Sequence, residues 1–152
     1  LRRFQELGGK WSIGTDSHIG LNPLEELRLL DYGQRLISHK RNTFTSPNQG
    51  DSGRFAFNMA LKSGRKAMNN FETDYFKVGE PFNATVLKAN SPLIEVSSID
   101  KMASTLLYSS DASSQLATIS NGELVVENGV HTSYDSIKST FVKVMKELGS
   151  RV

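Results

Sequence analysis

The sequence predicts an α+β chain whose helices and strands are segregated along its length, and three observations predict it. Asn22-Pro23-Leu24-Glu25 opens a segment with apolar residues at helical spacing. Asn121-Gly122 stands between two short apolar runs, a strong hairpin signal. A closing segment from Thr132 carries Ile137, Phe141, Val144, Met145 and Leu148 at a helical period.

Taken in order, Leu1 to Leu7 reads as the last turns of a helix, with Phe4 and Leu7 on one side and Gly8-Gly9 as its stop. Leu1-Arg2-Arg3-Phe4 has no initiator Met and no signal-peptide pattern, so the chain is expected to enter mid-domain. Lys10 to Asp16 alternates, placing Trp11 and Ile13 on one face, and is predicted to be a buried strand. Next, Asn22 is the expected N-cap, Pro23 suits the first helical position, and Glu25 can reach back as in a capping box. That helix is predicted to reach about Lys40, burying Leu24, Leu27, Leu30 and Ile37. Arg35, Lys40 and Arg41 near its end complement the macrodipole. Residues 42 to 53, with Pro47, Gly50 and Gly53, read as a loop. Phe55 to Asn70 returns to helical spacing, and Ser63-Gly64 is predicted to divide it into two helices.

From Tyr75 the period shortens. Tyr75 to Val78 and Phe82 to Leu87 are apolar runs rich in strand formers on either side of Gly79-Glu80-Pro81. A short helix is predicted over Ile99 to Ser104 and a strand from Thr105. Leu116 to Ser120 and Glu123 to Glu127 form the hairpin, because Asn-Gly supplies the positive φ values of a type I′ turn. A second Asn-Gly at Asn128-Gly129 ends the strand, Thr132 with Asp135 three residues later opens the final helix, and Gly149 stops it.

The composition, 38% hydrophobic and 22% charged with eight Phe, four Tyr and one Trp, supplies a modest core for one domain or two small ones. With 18 basic against 16 acidic residues, the net charge of +2 sets up no strong field for nucleic acid or an anionic membrane. The absence of cysteine excludes disulfides, thiolate nucleophiles and Cys-based zinc sites, and fits a cytoplasmic location. No apolar stretch approaches the ~20 residues of a membrane-spanning helix.

Chemistry centres on Gly14-Thr15-Asp16-Ser17-His18. An Asp, a Ser and a His match a nucleophilic triad in composition, but neighbours in an extended chain face opposite ways. Asp16 and His18 can share a side and Ser17 is excluded from it, so no local triad is predicted. From the residues alone, Asp16 either serves a reacting centre or, like Ser17, satisfies backbone donors in the loop leading to Asn22. His18 either orients a catalytic group or fixes that loop. His39 reads as a solvated helix-end residue and His131 as a turn residue at a strand end. Arg35, Lys40 and Arg41 read as a solvated face rather than an anion site.

The run Ile13 to His18, with Asn22-Pro23-Leu24-Glu25-Glu26-Leu27-Arg28 and Asp31-Tyr32-Gly33-Gln34-Arg35-Leu36, resembles the eighth-strand region of formimidoylglutamate deiminases in the amidohydrolase superfamily. Arg54 to Asn70 resembles the helices that follow the barrel. Val78-Gly79-Glu80-Pro81-Phe82-Asn83-Ala84-Thr85-Val86-Leu87 is similar to the entry into the small β-sandwich, with Asn83 where the family has Asp. Leu116 to His131 resembles the closing hairpin with its Gly-Val-His ending.

The resemblance implies the last strand and helices of a TIM-like (β/α)8 barrel over 1–72, part of a β-sandwich over 73–131, and a C-terminal helix over 132–152. It implies a metal-dependent aminohydrolase of histidine degradation that cleaves an amidine carbon-nitrogen bond and releases ammonia. Asp16 would approach the divalent metal, usually zinc, and take part in proton transfer from the attacking water, with His18 a second candidate beside it. Guanine, adenosine-type and triazine substrates are handled by relatives with similar C-terminal regions. The family's His-x-His pair and its further His and Glu ligands are not supplied by His18, His39 and His131, so this chain alone is expected to be inactive and to bind zinc weakly or not at all. A small-molecule substrate and a homodimer are the expected partners, with no nucleic acid and no membrane. The competing reading is a non-catalytic binding or scaffold module that oligomerises through an exposed barrel-facing surface.

Overall fold

The computed structural model describes residues 1–41, 43–46, 50–72 and 74–151. It divides into two compact units, one made of residues 1–77 and 89–112, the other of 78–88 and 113–152.

The first unit is helical. α1 (Arg2–Glu6) is a short entry helix, and α2 (Pro23–Ser38) begins where Asn22 Oδ1 accepts from the Leu24 amide at 3.0 Å, with Pro23 in the first turn. Glu25 does not close a capping box; its carboxylate lies against Gly20, where an added Cβ would stand 2.8 Å from Oε2. α2 ends on His39 in the left-handed region, φ 52°. Leu27 is buried and Leu24 and Leu30 partly so, whereas Ile37 is exposed, because none of the described residues covers the last turn on that side.

α3 (Ser52–Ala67) starts at Asp51, whose side chain accepts from the Arg54 amide at 2.7 Å. It is one unbroken helix, not two. Gly64 costs the helix ~1 kcal/mol relative to Ala, but it makes room for the Trp11 segment: a Cβ there would lie 2.8 Å from Ser12 Oγ. α4 (Pro92–Glu95) is a single turn, and α5 (Met102–Ser109) takes the place of the strand expected from Thr105. The reason is packing at helical spacing. Ala103 crosses α3 at Gly53, where a Cβ would meet Ala103 backbone at 2.3 Å, and Leu107, one turn on, is fully buried.

Trp11, Leu27, Phe44, Phe55, Ala56, Ala60 and Leu107 make the core, with Phe44 stacked between Trp11 at 5.2 Å and Phe55 at 6.3 Å between ring centroids. Phe44 comes from the stretch predicted as a polar loop; of that loop, Asn42 and residues 47–49 lie outside the described residues. The segment 10–15 buries Trp11 but makes no ladder bonds, so the predicted strand is absent: the four strands described all pair in the other unit. Tyr75 to Val78 is likewise no strand. Tyr75 lies on α3, donating to Asn58 Oδ1 at 2.6 Å, with the Arg65 guanidinium 5.7 Å from its ring centroid.

The second unit is an antiparallel sheet in the order β1 (Ala84–Leu87), β2 (Gln115–Ser120), β3 (Glu123–Glu127), β4 (Val130–His131), followed by α6 (Tyr134–Gly149). Asn121 and Gly122 have φ 53° and 84°, as a type I′ turn requires, and Asn128 and Gly129 repeat it at 51° and 79°. The second turn therefore adds β4 rather than only ending β3. Asn83 Oδ1 accepts from the Asn121 amide at 2.9 Å, so its side-chain amide braces the β2–β3 turn. α6 starts at Ser133, not Thr132, and none of its residues is buried; Ile137, Phe141, Val144, Met145 and Leu148 are all exposed. Among the described residues no helix is long and apolar enough to cross a membrane.

Candidate active site

The Asp16 turn is held from both sides. Before it, Ser12 Oγ donates to the Ala60 carbonyl of α3 at 2.8 Å and Trp11 anchors in the core. After it, Asn22 caps α2. Between these anchors the His18 amide donates to the Thr15 carbonyl at 2.6 Å, closing a turn around Asp16 and Ser17. Asp16 has φ 38° and Leu21 φ 45°. Asp tolerates this region through its short polar side chain, whereas Leu pays a steric cost there. The loop is thus strained at its end.

Asp16 and Ser17 are exposed, and the Asp16 carboxylate makes no hydrogen bond or ion pair among the described residues. The bland alternative, a side chain spent on backbone donors in the loop, is not what the geometry shows for Asp16. His18 is paired: its Nδ1 lies 2.6 Å from Glu26 Oε1. The hydrogen bond to Glu26, then the charge of Glu26, with smaller contributions from Glu25 and Asp16, holds the imidazole above its ordinary value against a slight desolvation. Glu26 is the residue that sequence reasoning misses. Its only signal is a second acid in the first turn of α2, one position beyond the one assigned to the cap.

Beside the turn an apolar trough of about 440 Å³ runs along Ile13, Gly14 and Thr15, walled by Leu27 and Phe57, with Glu26 at its lining. His39 is the exposed C-terminal residue of α2, and His131 Nδ1 accepts from the Ser133 amide at 3.0 Å, both as expected. Among the described residues no group of three or more His, Cys, Asp or Glu side chains could hold a metal ion.

A second polar cluster lies on α2. Asp31 is fully buried and accepts from the Thr43 hydroxyl, from Tyr108 Oη at 2.7 Å and from Arg35 Nη2 at 2.6 Å. The Arg35 guanidinium lies 5.7 Å from the Tyr32 ring centroid and 5.2 Å from that of Tyr108. Arg35 therefore belongs to an internal ion pair, not to a solvated face with Lys40 and Arg41. Burial, then the hydrogen bond to Asp31 and its charge, push the Tyr108 phenol well above its ordinary value, with Arg35 opposing.

No family model matches the chain. A curated formimidoylglutamate deiminase from Pseudomonas aeruginosa is 32% identical over 145 residues, which is 95% of this chain and 32% of that protein. The crystal structure of an amidohydrolase from Brucella melitensis matches 97% of this chain and 32% of its own with a TM-score of 0.83, at 30% identity. The resemblance to formimidoylglutamate deiminases holds. The chain spans about a third of the length of these relatives, and within that third it has the α+β organisation of an amidohydrolase.

Proposed function

We propose that this chain is the Asp16-bearing third of an aminohydrolase that cleaves a carbon-nitrogen bond in a formimidoylglutamate-like substrate and releases ammonia. Residues 1–72 would complete a (β/α)8 barrel, with Asp16 at the mouth end of its eighth strand, where barrel enzymes place their chemistry. Residues 73–131 would form part of a β-sandwich and 132–152 the closing helix of a cytoplasmic homodimer. The observation that carries the reading is the 32% identity to a formimidoylglutamate deiminase over 95% of the chain. The exposed, unpartnered Asp16 carboxylate in a strained turn supports it.

In this reading Asp16 takes the proton of the attacking water and returns it to the departing nitrogen, a task that needs a carboxylate with free lone pairs. The resemblance also implies a divalent metal, zinc in the usual case. A catalytic zinc takes about three protein ligands and one open position, and the described residues offer no such group. This chain therefore does not fit the metal by itself. Further ligands would have to come from sequence like the two thirds of the relatives' length that it does not span.

Ammonia release from N-formimidoyl-L-glutamate tests the reading, measured on this chain and on the longest natural protein that contains it. Activity is expected in the longer protein only, lowered by about 100-fold or more in Asp16→Asn. Turnover by the 152-residue chain alone, or none by the longer protein on this substrate or related amidines, overturns it. The apolar trough favours a second reading, in which Ile13, Phe57 and their neighbours dock a partner and the chain is a scaffold. A stable dimer of this chain that Phe57→Lys dissociates would support that reading; a monomer would remove it.

A further inference from the structure

The sequence singles out His18 without a partner, and the structure supplies one. Glu26 sits in the first turn of α2, its amide donating to the Asn22 carbonyl at 3.1 Å, so its backbone is held by a helix rather than a loop. Its side chain is 11% exposed against 59% for His18, which means that a withdrawn carboxylate grips a solvent-facing ring. The contact closes over left-handed Leu21 and starts two residues after left-handed Asp16. Strained residues persist where their surroundings over-determine them. Glu25 braces the same loop elsewhere, since its Oε2 lies where a Cβ on Gly20 would be.

We infer that Glu26 is a positioning residue, which through its hydrogen bond to His18 Nδ1 fixes the ring in the turn that carries Asp16 and leaves Nε2 as the nitrogen free for a ligand. The chemistry follows from the two ring nitrogens. A carboxylate accepts only, so Nδ1 must donate to it, and in the neutral ring the lone pair is then confined to Nε2. A free imidazole would divide its proton between both nitrogens and its ring among several rotamers. Nε2 has no hydrogen-bond partner among the described residues, which leaves it able to accept a hydrogen bond from a polar substrate group. Glu26 also lines the apolar trough, so the same side chain orients the ring and closes one wall of the space beside the turn. The assignment rests on the proposed aminohydrolase only for what Nε2 touches; the geometry of the pair belongs to this chain.

The test separates the two. On the chain as it stands, side-chain ¹⁵N shifts of His18 and backbone relaxation of residues 15–21 are recorded for the native protein, Glu26→Gln and Glu26→Ala. The native ring is expected to show Nδ1–H with Nε2 unprotonated in its neutral form. Glu26→Ala should shift the tautomer toward Nε2–H and lower loop order parameters from about 0.85 to below about 0.6. Glu26→Gln keeps an acceptor and a near-identical shape and should restore the native tautomer. An unchanged tautomer and ordered loop in Glu26→Ala overturn the inference; should that variant not fold, Glu26→Asp, which shortens the reach to Nδ1, must show the tautomer change or the inference falls. In the longer protein, Glu26→Ala should lower kcat by about tenfold or more with little change in KM, and Glu26→Gln should recover most of it. Loss of both kcat and KM without rescue would mark a merely structural role. An inactive longer protein alongside a Glu26-dependent tautomer would sink the aminohydrolase reading and leave the positioning pair intact.

Discussion

Asp31, within α2, and Asp16, in the turn that leads to it, are put to opposite use. Asp31 is buried, both of its oxygens accept hydrogen bonds, and the cation that neutralises it is held over two tyrosine rings. Asp16 is exposed, stands in a left-handed turn, and has no partner among the described residues. A carboxylate whose lone pairs are all committed takes up a proton only by breaking the contacts that hold it. One with free lone pairs at a strained turn can take a proton and give it back. The difference teaches that saturation, more than the residue type or the neighbouring motif, separates a framework acid from a candidate reacting one.

The largest effect that would break this contrast is at Asp31. Asparagine there removes the charge facing Arg35 and turns an amide N–H toward donors that need an acceptor. Breaking a buried ion pair costs about 3 to 5 kcal/mol. Because the Arg35 side chain keeps 34% of its exposure, the lower end, about 3 kcal/mol, is expected after screening. Trp11 is the single tryptophan and sits in this unit's core, so urea unfolding followed by its fluorescence reads the loss directly. A fall in the midpoint with an unchanged slope is expected. A loss below about 1 kcal/mol would make the Asp31 cluster no more structural than a surface pair.

A smaller effect sharpens the contrast through pH. The folded state holds the Tyr108 phenol above its ordinary value, so below the unfolded pKa of about 10 both states keep the proton and the hydrogen bond to Asp31 contributes in full. Above that pH the unfolded chain releases a proton that the folded chain retains, and stability falls as pH rises toward the folded value. Tyr108→Phe should lose about 1 kcal/mol at neutral pH but fall less steeply from pH 10 upward, as read from urea midpoints by Trp11 fluorescence. Parallel curves for the two proteins would mean that Asp31 does not hold the phenol.

Local rules make the outer parts of this fold legible in the sequence. The Asn-Pro start of α2, the Asn121-Gly122 turn and the period of α6 each depend on a few adjacent residues, and all three stand. What is not legible depends on contacts between distant segments. Ser63-Gly64 reads locally as a break, yet Ser12 closes on Gly64 and keeps α3 whole. Thr105 reads as a strand former, yet Ala103 and Leu107 meet α3 one turn apart. Phe44 in a polar loop gives no periodic signal at all. The same division holds at the site. Asp16 and His18 are visible as residue types at a strand end, whereas Glu26 is hidden behind its neighbour Glu25 and Asp31 inside an ordinary helical pattern. Only the partners that folding brings to Glu26 and Asp31 distinguish them.

The smallest expected effect is the most diagnostic for the exposed acid. Asp16→Asn removes the charge but keeps the size, and Asn tolerates a positive φ at least as well as Asp. With no hydrogen bond or ion pair to lose, the stability of this chain should change by no more than about 0.5 kcal/mol, within the scatter of a urea melt. The same substitution is expected to abolish most ammonia release in the longer protein, so stability and turnover part company at Asp16 and would move together at Asp31. If Asp16→Asn instead cost the isolated chain more than about 1 kcal/mol, the carboxylate would be bracing the turn. Asp16 would then join Asp31 as framework, and the case for a reacting group in this turn would pass to His18, whose Nε2 Glu26 leaves free.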